Sequence, residues 1–391
     1  MPQFHEVIPE TTTAFGTNFM TGMLLLGAFV GCIFMPTLAD KMSRKWALTA
    51  VVVVFNIGAI LQTAAFSYGM LVTGRAIGGI GVGTLAMGAP LYISEIAPRT
   101  SVDSLISLSK LRRLPETDER VQAEYKSIVA EVEFQRLMQE AKHPGVSGLK
   151  FEVLLWLDLF DGKNWRRVVV GCGVCFFQQF SGINAFIYYA PTLFQSIGQD
   201  YEMSLILSGI FNILQLVAVA ICFVIIDKVG RKPLAIVGGF GSALCYIVIA
   251  ALAGVYSKSW SSNPAAGWAC VAMAFLFIIV YGVSYSPLGW ALPPEVFSTS
   301  TRAKGVALSV CVNWLANFVI GIATPPMVES IGFGAYVFFA VFCALSGFWA
   351  WFLVPETMGK TLEQMDEVFG DTSGQEEQDM MRRALQNAEH A

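Results

Sequence analysis

Nine stretches of this chain are long and apolar enough to cross a lipid bilayer, and most of its charge lies in the gaps between them. A bilayer core of about 30 Å is crossed by roughly 20 apolar residues in a helix. Within that core the backbone must satisfy its own hydrogen bonds. Spans are therefore expected near 19–39, 46–66, 69–92, 167–188, 203–226, 233–255, 267–292, 306–327 and 333–354. The fold class that follows is an all-α integral membrane protein. A soluble domain is excluded, since only 14% of the residues are charged against about 25% in soluble proteins.

Lys41, Arg44 and Lys45 follow the first span, Lys228, Arg231 and Lys232 the fifth, and Arg302 and Lys304 the seventh. Residues 1–18, 189–202 and 328–332 carry no Lys or Arg, and 256–266 only Lys258. The positive-inside rule puts the basic loops, the central segment and the C-terminus in the cytoplasm, and the N-terminus outside. Four regions are expected: a transmembrane bundle at 1–98, a cytoplasmic linker with amphipathic helices at 99–166, a second bundle at 167–356, and a cytoplasmic tail at 357–391 that frays beyond about Gly370. All eight cysteines fall in apolar spans, where packing explains them, Cys172 and Cys175 included. The three histidines lie outside the spans, so no embedded histidine site exists for a metal. No cofactor and no nucleic-acid partner is expected, and residues 1–18 do not read as a signal peptide.

The chain carries an internal duplication. Asp40-Lys41-Met42-Ser43-Arg44-Lys45 reappears as Asp227-Lys228-Val229-Gly230-Arg231-Lys232, and Ser94-Glu95-Ile96-Ala97-Pro98 loosely as Pro294-Glu295-Val296-Phe297-Ser298. Duplicated membrane halves that rock about a site between them are the mark of transporters. The second half places two spans before its basic motif and two after Glu295, whereas the first half has one and none. Three spans are thus expected to be missing from the first half, one before residue 19 and two between about Pro98 and Ser101.

Two constellations carry chemistry. Asp40, Arg44 and Glu95, and likewise Asp227, Arg231, Glu295 and Arg302, can form ion-pair networks that clamp the cytoplasmic side and release on opening; basic residues that only set topology are the alternative. The second constellation is uncharged. Gln178, Gln179 and Asn184 surround Ser181-Gly182, Tyr188-Tyr189 and Pro191 follow, Asn212 lies on the next span, and the later spans add Tyr281, Tyr285, Pro287, Trp290, Asn313, Trp314 and Asn317. Carboxamides donate and accept, so they grip vicinal hydroxyls, and an indole packs the apolar face of a ring. Between their end residues the six later spans hold no Asp, Glu, Lys or Arg. A neutral, hydroxyl-rich ligand fits this better than an ion; amides that only join helices are the alternative. Gly182 and Pro191 permit the broken helix that binding sites use. Gly78, Gly79, Gly81 and Gly83 follow no strand and are expected to pack helices. Arg75 stands alone within the third span, where a charge needs a partner or a path to the interface. Its expected partner is an acid on the missing first span, which would form a proton-coupling site.

These motifs resemble the sugar porter family of the major facilitator superfamily. The resemblance rests on Asp40–Lys45, Pro90 with Ser94-Glu95 and Pro98, Gln178-Gln179 with Ser181-Gly182-Ile183-Asn184, Asp227–Lys232, Glu295 with Arg302, and Pro355-Glu356-Thr357 through Glu363. The stretch from Leu111 to Gly370 looks most like fungal hexose, pentose or quinate permeases. The resemblance implies sugar contacts at Gln178, Gln179, Asn184, Asn212, Trp290 and Asn313. It implies an external gate at Tyr188 and Tyr189, a cytoplasmic gate that includes Glu356, and proton coupling at Arg75. It implies twelve helices, of which the first, fifth and sixth are absent here. The expected function is alternating-access transport of a monosaccharide or related polyol, facilitative or proton-coupled, across a plasma membrane. A non-transporting truncated product, a quinate permease and a nutrient sensor are the other readings. An enzyme is not expected, because the spans offer no nucleophile with its base.

Overall fold

The computed structural model describes residues 8–41, 44–94, 148–162, 164–298, 301–360 and 362–370, with short pieces between 115 and 146. Three long helices come first: α1 (Ala14–Lys41), α2 (Arg44–Thr63) and α3 (Tyr68–Ser94). A short linker helix, α4 (Leu149–Leu157), precedes a larger group. That group comprises α5 (Asn164–Phe180), α6 (Ile183–Ser196), α7 (Tyr201–Val229), α8 (Arg231–Tyr256), α9 (Pro264–Val283), α10 (Tyr285–Val296), α11 (Arg302–Ile331) and α12 (Gly334–Leu353). A tail helix, α13 (Leu362–Val368), closes the described chain. Among the described residues nine helices or helix pairs are long and apolar enough to cross a membrane, matching the expected spans. Most of the 99–147 linker and all of the 371–391 tail lie outside the described residues.

Two spans are each built from two helices, the first broken where Gly182 permits it and the second at a place the sequence did not mark. The stretch drawn as one helix over 167–188 is α5 and α6, and the stretch over 267–292 is α9 and α10. The first break falls at Gly182, whose φ of 84° is left-handed and costs little only for glycine. A second irregularity at Tyr189 (φ −126°, ψ 23°) precedes Pro191, which cannot donate to the previous turn. The break at Ser284 (φ −123°, ψ −91°) precedes Pro287 in the same manner.

The first three helices are held by glycine. A Cβ added to Gly79 would stand 2.1 Å from the Leu24 carbonyl oxygen, and one on Gly83 would stand 2.0 Å from that of Ala28. From α1, Gly27 and Gly31 approach the Ala76 and Ile80 carbonyls at 2.2 and 2.3 Å by the same measure. Gly58 of α2 meets the Gly78 nitrogen of α3 at 2.3 Å. The glycine run is therefore a close helix-packing surface, the device membrane helices use where lipid supplies no hydrophobic drive. Gly239 and Gly347 bring α8 against α12 in the same way. The larger group packs round buried aromatics, with Phe186 stacked on Phe211 at 5.1 Å and Tyr246 4.7 Å from Phe277. The two groups meet where α1 lies along α11, with Gly22 under Ile322 and Leu25 beside Gly321.

Gly83→Val should cost about 1–3 kcal/mol or prevent folding, because the clash is with backbone. Gly69→Val, which meets nothing within 4 Å, should change little. Thermal unfolding of the two variants in detergent distinguishes glycine packing from mere glycine content; equal melting temperatures would refute it.

Candidate functional site

The two helix breaks face each other across a chain of amides. Gln178, at the end of α5, donates from Nε2 to the Tyr285 and Ser286 carbonyls at 3.0 and 3.1 Å, just past the Ser284 break. Its Oε1 accepts from Asn313 Nδ2 on α11. Asn313 Oδ1 accepts from Gln179 Nε2 at 3.1 Å, and Gln179 Oε1 accepts from Asn184 Nδ2 on α6. Gln178, Gln179 and Asn313 are 4%, 5% and 4% exposed. Gly289 leaves room for this, since a Cβ there would stand 2.5 Å from Gln178 Nε2. Four of the six residues expected to contact a ligand are thus one hydrogen-bonded unit.

The other two are not part of it. Asn212 is exposed on α7 and donates to the Ser208 carbonyl of its own helix at 3.0 Å. Trp290 on α10 is 41% exposed. Two polar atoms further along α11, Asn317 Oδ1 and Trp314 Nε1, are buried with no partner among the described residues. They are one acceptor and one donor on the helix that carries Asn313.

The paired tyrosines join α6 to its neighbours. Asn317 Nδ2 donates to the Tyr188 hydroxyl at 3.3 Å. The Tyr189 hydroxyl donates to the Gly321 carbonyl at 2.9 Å and to Asn18 Oδ1 of α1 at 3.3 Å. Tyr189 therefore ties the second helix group to the first. Arg75 lies within electrostatic reach of Tyr188, and its Nε has no partner among the described residues.

At the basic end, Arg231 forks onto Glu295. Nη2 donates to Oε1 at 2.7 Å, while Nε lies 3.1 Å from Oε2. Asp227 sits 2.9 Å from Arg231 Nη1 but is 76% exposed, so that contact is worth only about 0.3–0.5 kcal/mol. Thr357 donates to Glu295 Oε2 at 2.6 Å. Glu356 accepts from the Arg231 and Lys232 amides at 3.0 and 3.1 Å, an anion on the positive end of the α8 dipole. Gly230, at φ 93°, is needed there, because a Cβ would meet Glu356 Oε2 at 2.5 Å. Arg302 opens α11 and is partnered, but Arg231 and Glu295 join without it. The side chains of Asp40 and Arg44, and all of Glu95, lie outside the described residues, so the first network stays an expectation.

Sequence reasoning missed a buried ion pair. Arg167, 1% exposed, donates from Nη2 to Asp366 Oδ1 of α13 at 2.6 Å and from Nη1 to the Val296 carbonyl at 2.7 Å. Phe369 lies 4.8 Å from the guanidinium by its ring centroid. Arg167 reads as one more basic residue at a span edge. The available signal was the tail, where Met365 and Phe369, four residues apart, are apolar and flank an acid. Asp366→Ala removes the carboxylate from a buried arginine and should cost about 3–5 kcal/mol, releasing α13 to protease and amide exchange. Arg167→Met with Asp366→Leu should restore most of the protection. Equal protection in wild type and Asp366→Ala would show that the pair does not hold the tail.

The family described as "Sugar (and other) transporter" matches residues 3–113 and 104–369, and the chain belongs to it. The High-affinity glucose transporter of Kluyveromyces lactis is 27% identical over 93% of this chain and 78% of its own length. Sugar transporter STL1 of Saccharomyces cerevisiae is 28% identical over 88% and 70%. Among solved structures, the proton:xylose symporter XylE bound to 6-bromo-6-deoxy-D-glucose superposes with TM-score 0.68, at 22% identity over 93% of this chain and 94% of that one. Its inward-open form from E. coli gives 0.61, at 23% identity over 92% and 90%. The fold is that of the major facilitator superfamily, and the protein is a multi-pass membrane transporter, not an enzyme.

Proposed function

We propose that the chain carries a monosaccharide or closely related polyol across the plasma membrane by alternating access, with Gln178, Gln179, Asn184 and Asn313 as the ligand-gripping unit. The observation that carries this reading is the chain of buried amides between two helix breaks, in a bundle whose spans hold no charge beside it. Each amide offers both donor and acceptor, so a hydroxyl-bearing ring can replace amide–amide bonds with amide–hydroxyl bonds at little net cost. Asn317 Oδ1 and Trp314 Nε1 add a free acceptor and a free donor. The relatives' names, a glucose transporter and a sugar transporter, support the same ligand class. Asn212 and Trp290 extend the wall from α7 and α10.

Tyr188 and Tyr189 act as the outer gate in this reading, and Asp227, Arg231, Glu295 and Glu356 as the inner one. Arg302 belongs with the second-half set, and Asp40, Arg44 and Glu95 complete the inner gate on the other half. Arg75, beside Tyr188, is the residue through which a proton gradient acts.

Uptake of labelled glucose and xylose in a host lacking its own hexose carriers tests the reading. Saturable uptake is expected, and none despite correct insertion overturns it. Gln179→Ala and Asn313→Ala should raise KM about fivefold for each hydrogen bond of about 1 kcal/mol removed. Unchanged KM in both would move the binding site elsewhere. Glu295→Gln should alter maximal rate far more than KM, and an equal change in KM would argue against a gate. Arg75→Gln should abolish any stimulation of uptake by an inward proton gradient. Stimulation that survives the change removes Arg75 from coupling.

A further inference from the structure

The linker helix α4 shows hydrocarbon on its outer side. Val153 and Leu157 are 51% and 57% exposed, and Phe160 in the next turn is 56% exposed. Spacings of four and three residues put them on one face. The helix is not free to turn this face inward. Glu152 pairs with Lys304 at the start of α11, and the Lys304 ammonium lies 5.6 Å from the Trp156 ring centroid. Just beyond, Asp158 Oδ2 is 2.9 Å from His143 Nε2, and Leu159 is fully buried.

The exposed side of α4 borders an open cleft of about 390 Å³, lined by Phe29 and Ile33 of α1, Leu308 and Cys311 of α11, and Val153, Trp156 and Leu157 of α4. No lining residue carries a charge or an amide. The α1 and α11 residues belong to membrane spans, Phe15–Phe34 and Arg302–Ile331. The cavity wall thus continues into the lipid-facing side of α1, where Ile33 and Phe34 are 38% and 64% exposed. A cleft with such walls is filled from the phase it opens into.

We infer that α4 lies in the inner interface of the bilayer and that the cavity between α4, α1 and α11 holds an acyl chain of a membrane phospholipid. Apolar residues of interfacial helices sink about 5–10 Å into the headgroup–acyl boundary, and α4 packs beside the ends of two spanning helices, α1 and α11. The lipid then completes the contact between the two helix groups on their cytoplasmic side.

The test is photolabelling of the full chain in phosphatidylcholine vesicles doped with a phospholipid bearing a diazirine on its acyl chain, followed by peptide mass spectrometry. Adducts are expected on Val153 or Leu157 and on Ile33, beside those on Phe223 of α7, a spanning residue 74% exposed that serves as internal control. Val153→Asp with Leu157→Asp should remove the α4 and Ile33 adducts and leave Phe223 labelled. Leu308→Trp, which fills the cleft without adding charge, should remove the Ile33 adduct alone. Labelling of Phe223 with none on α4 overturns the inference. So does α4 labelling that appears only when the protein is diluted to monomer, which assigns that face to a second copy.

Discussion

In lipid a backbone group released from its helix has no water to turn to, so every break in a spanning helix must be repaired by protein. This constraint governs the second helix group. The breaks at Gly182 and Ser284 lie in neighbouring spans, and Gln178, at the end of α5, ties the two together by donating to the Tyr285 and Ser286 carbonyls at the start of α10. Its remaining oxygen recruits Asn313, and Asn313 recruits Gln179 and Asn184. The amides thus bridge the two broken spans. The proposed ligand site uses the same chemistry, because groups that bind backbone carbonyls can equally hold hydroxyls.

The duplication seen in the motifs is also a packing rule. The helix before each basic motif packs on the helix two further along: α1 on α3, and α7 on α9. The helix after the motif does the same with its successor, α2 on α3 and α8 on α9. In addition α1 lies along α11, and symmetry assigns α7 a counterpart in the first half. Among the described residues no helix of that half covers α7, whose Leu216 and Phe223 are 71% and 74% exposed. This explains Asn212. It sits on the uncovered face, and its amide turns back to its own helix for want of a neighbour.

The spans were legible because transfer from water to lipid is a property of composition, which a single chain carries in full. The glycine run on α3 was legible for the same local reason. The amide unit was half legible: Gln178, Gln179 and Asn184 share one stretch, but their closure through Asn313 depends on where α11 lies. The Ser284 break was missed because Pro287 alone does not fix where a helix parts. Arg167 and Asp366 stand almost two hundred residues apart, and nothing local marks a surface-type arginine as buried.

The inner ion pair and the amide unit share one short helix. Tyr285 and Ser286, at the head of α10, accept from Gln178, and Glu295, near its foot, is held by Arg231 and Thr357. At 1.5 Å per residue the two ends stand about 15 Å apart. When a ligand draws Gln178 away from those carbonyls, the head of α10 loses its anchor while the foot keeps its own. The helix can then pivot about Glu295, or carry Glu295 with it. The bidentate bond to a partly exposed arginine is strong enough to hold the closed form and weak enough to break when α10 moves. On the proposed reading, binding and gating are coupled through one short helix held by hydrogen bonds at both ends.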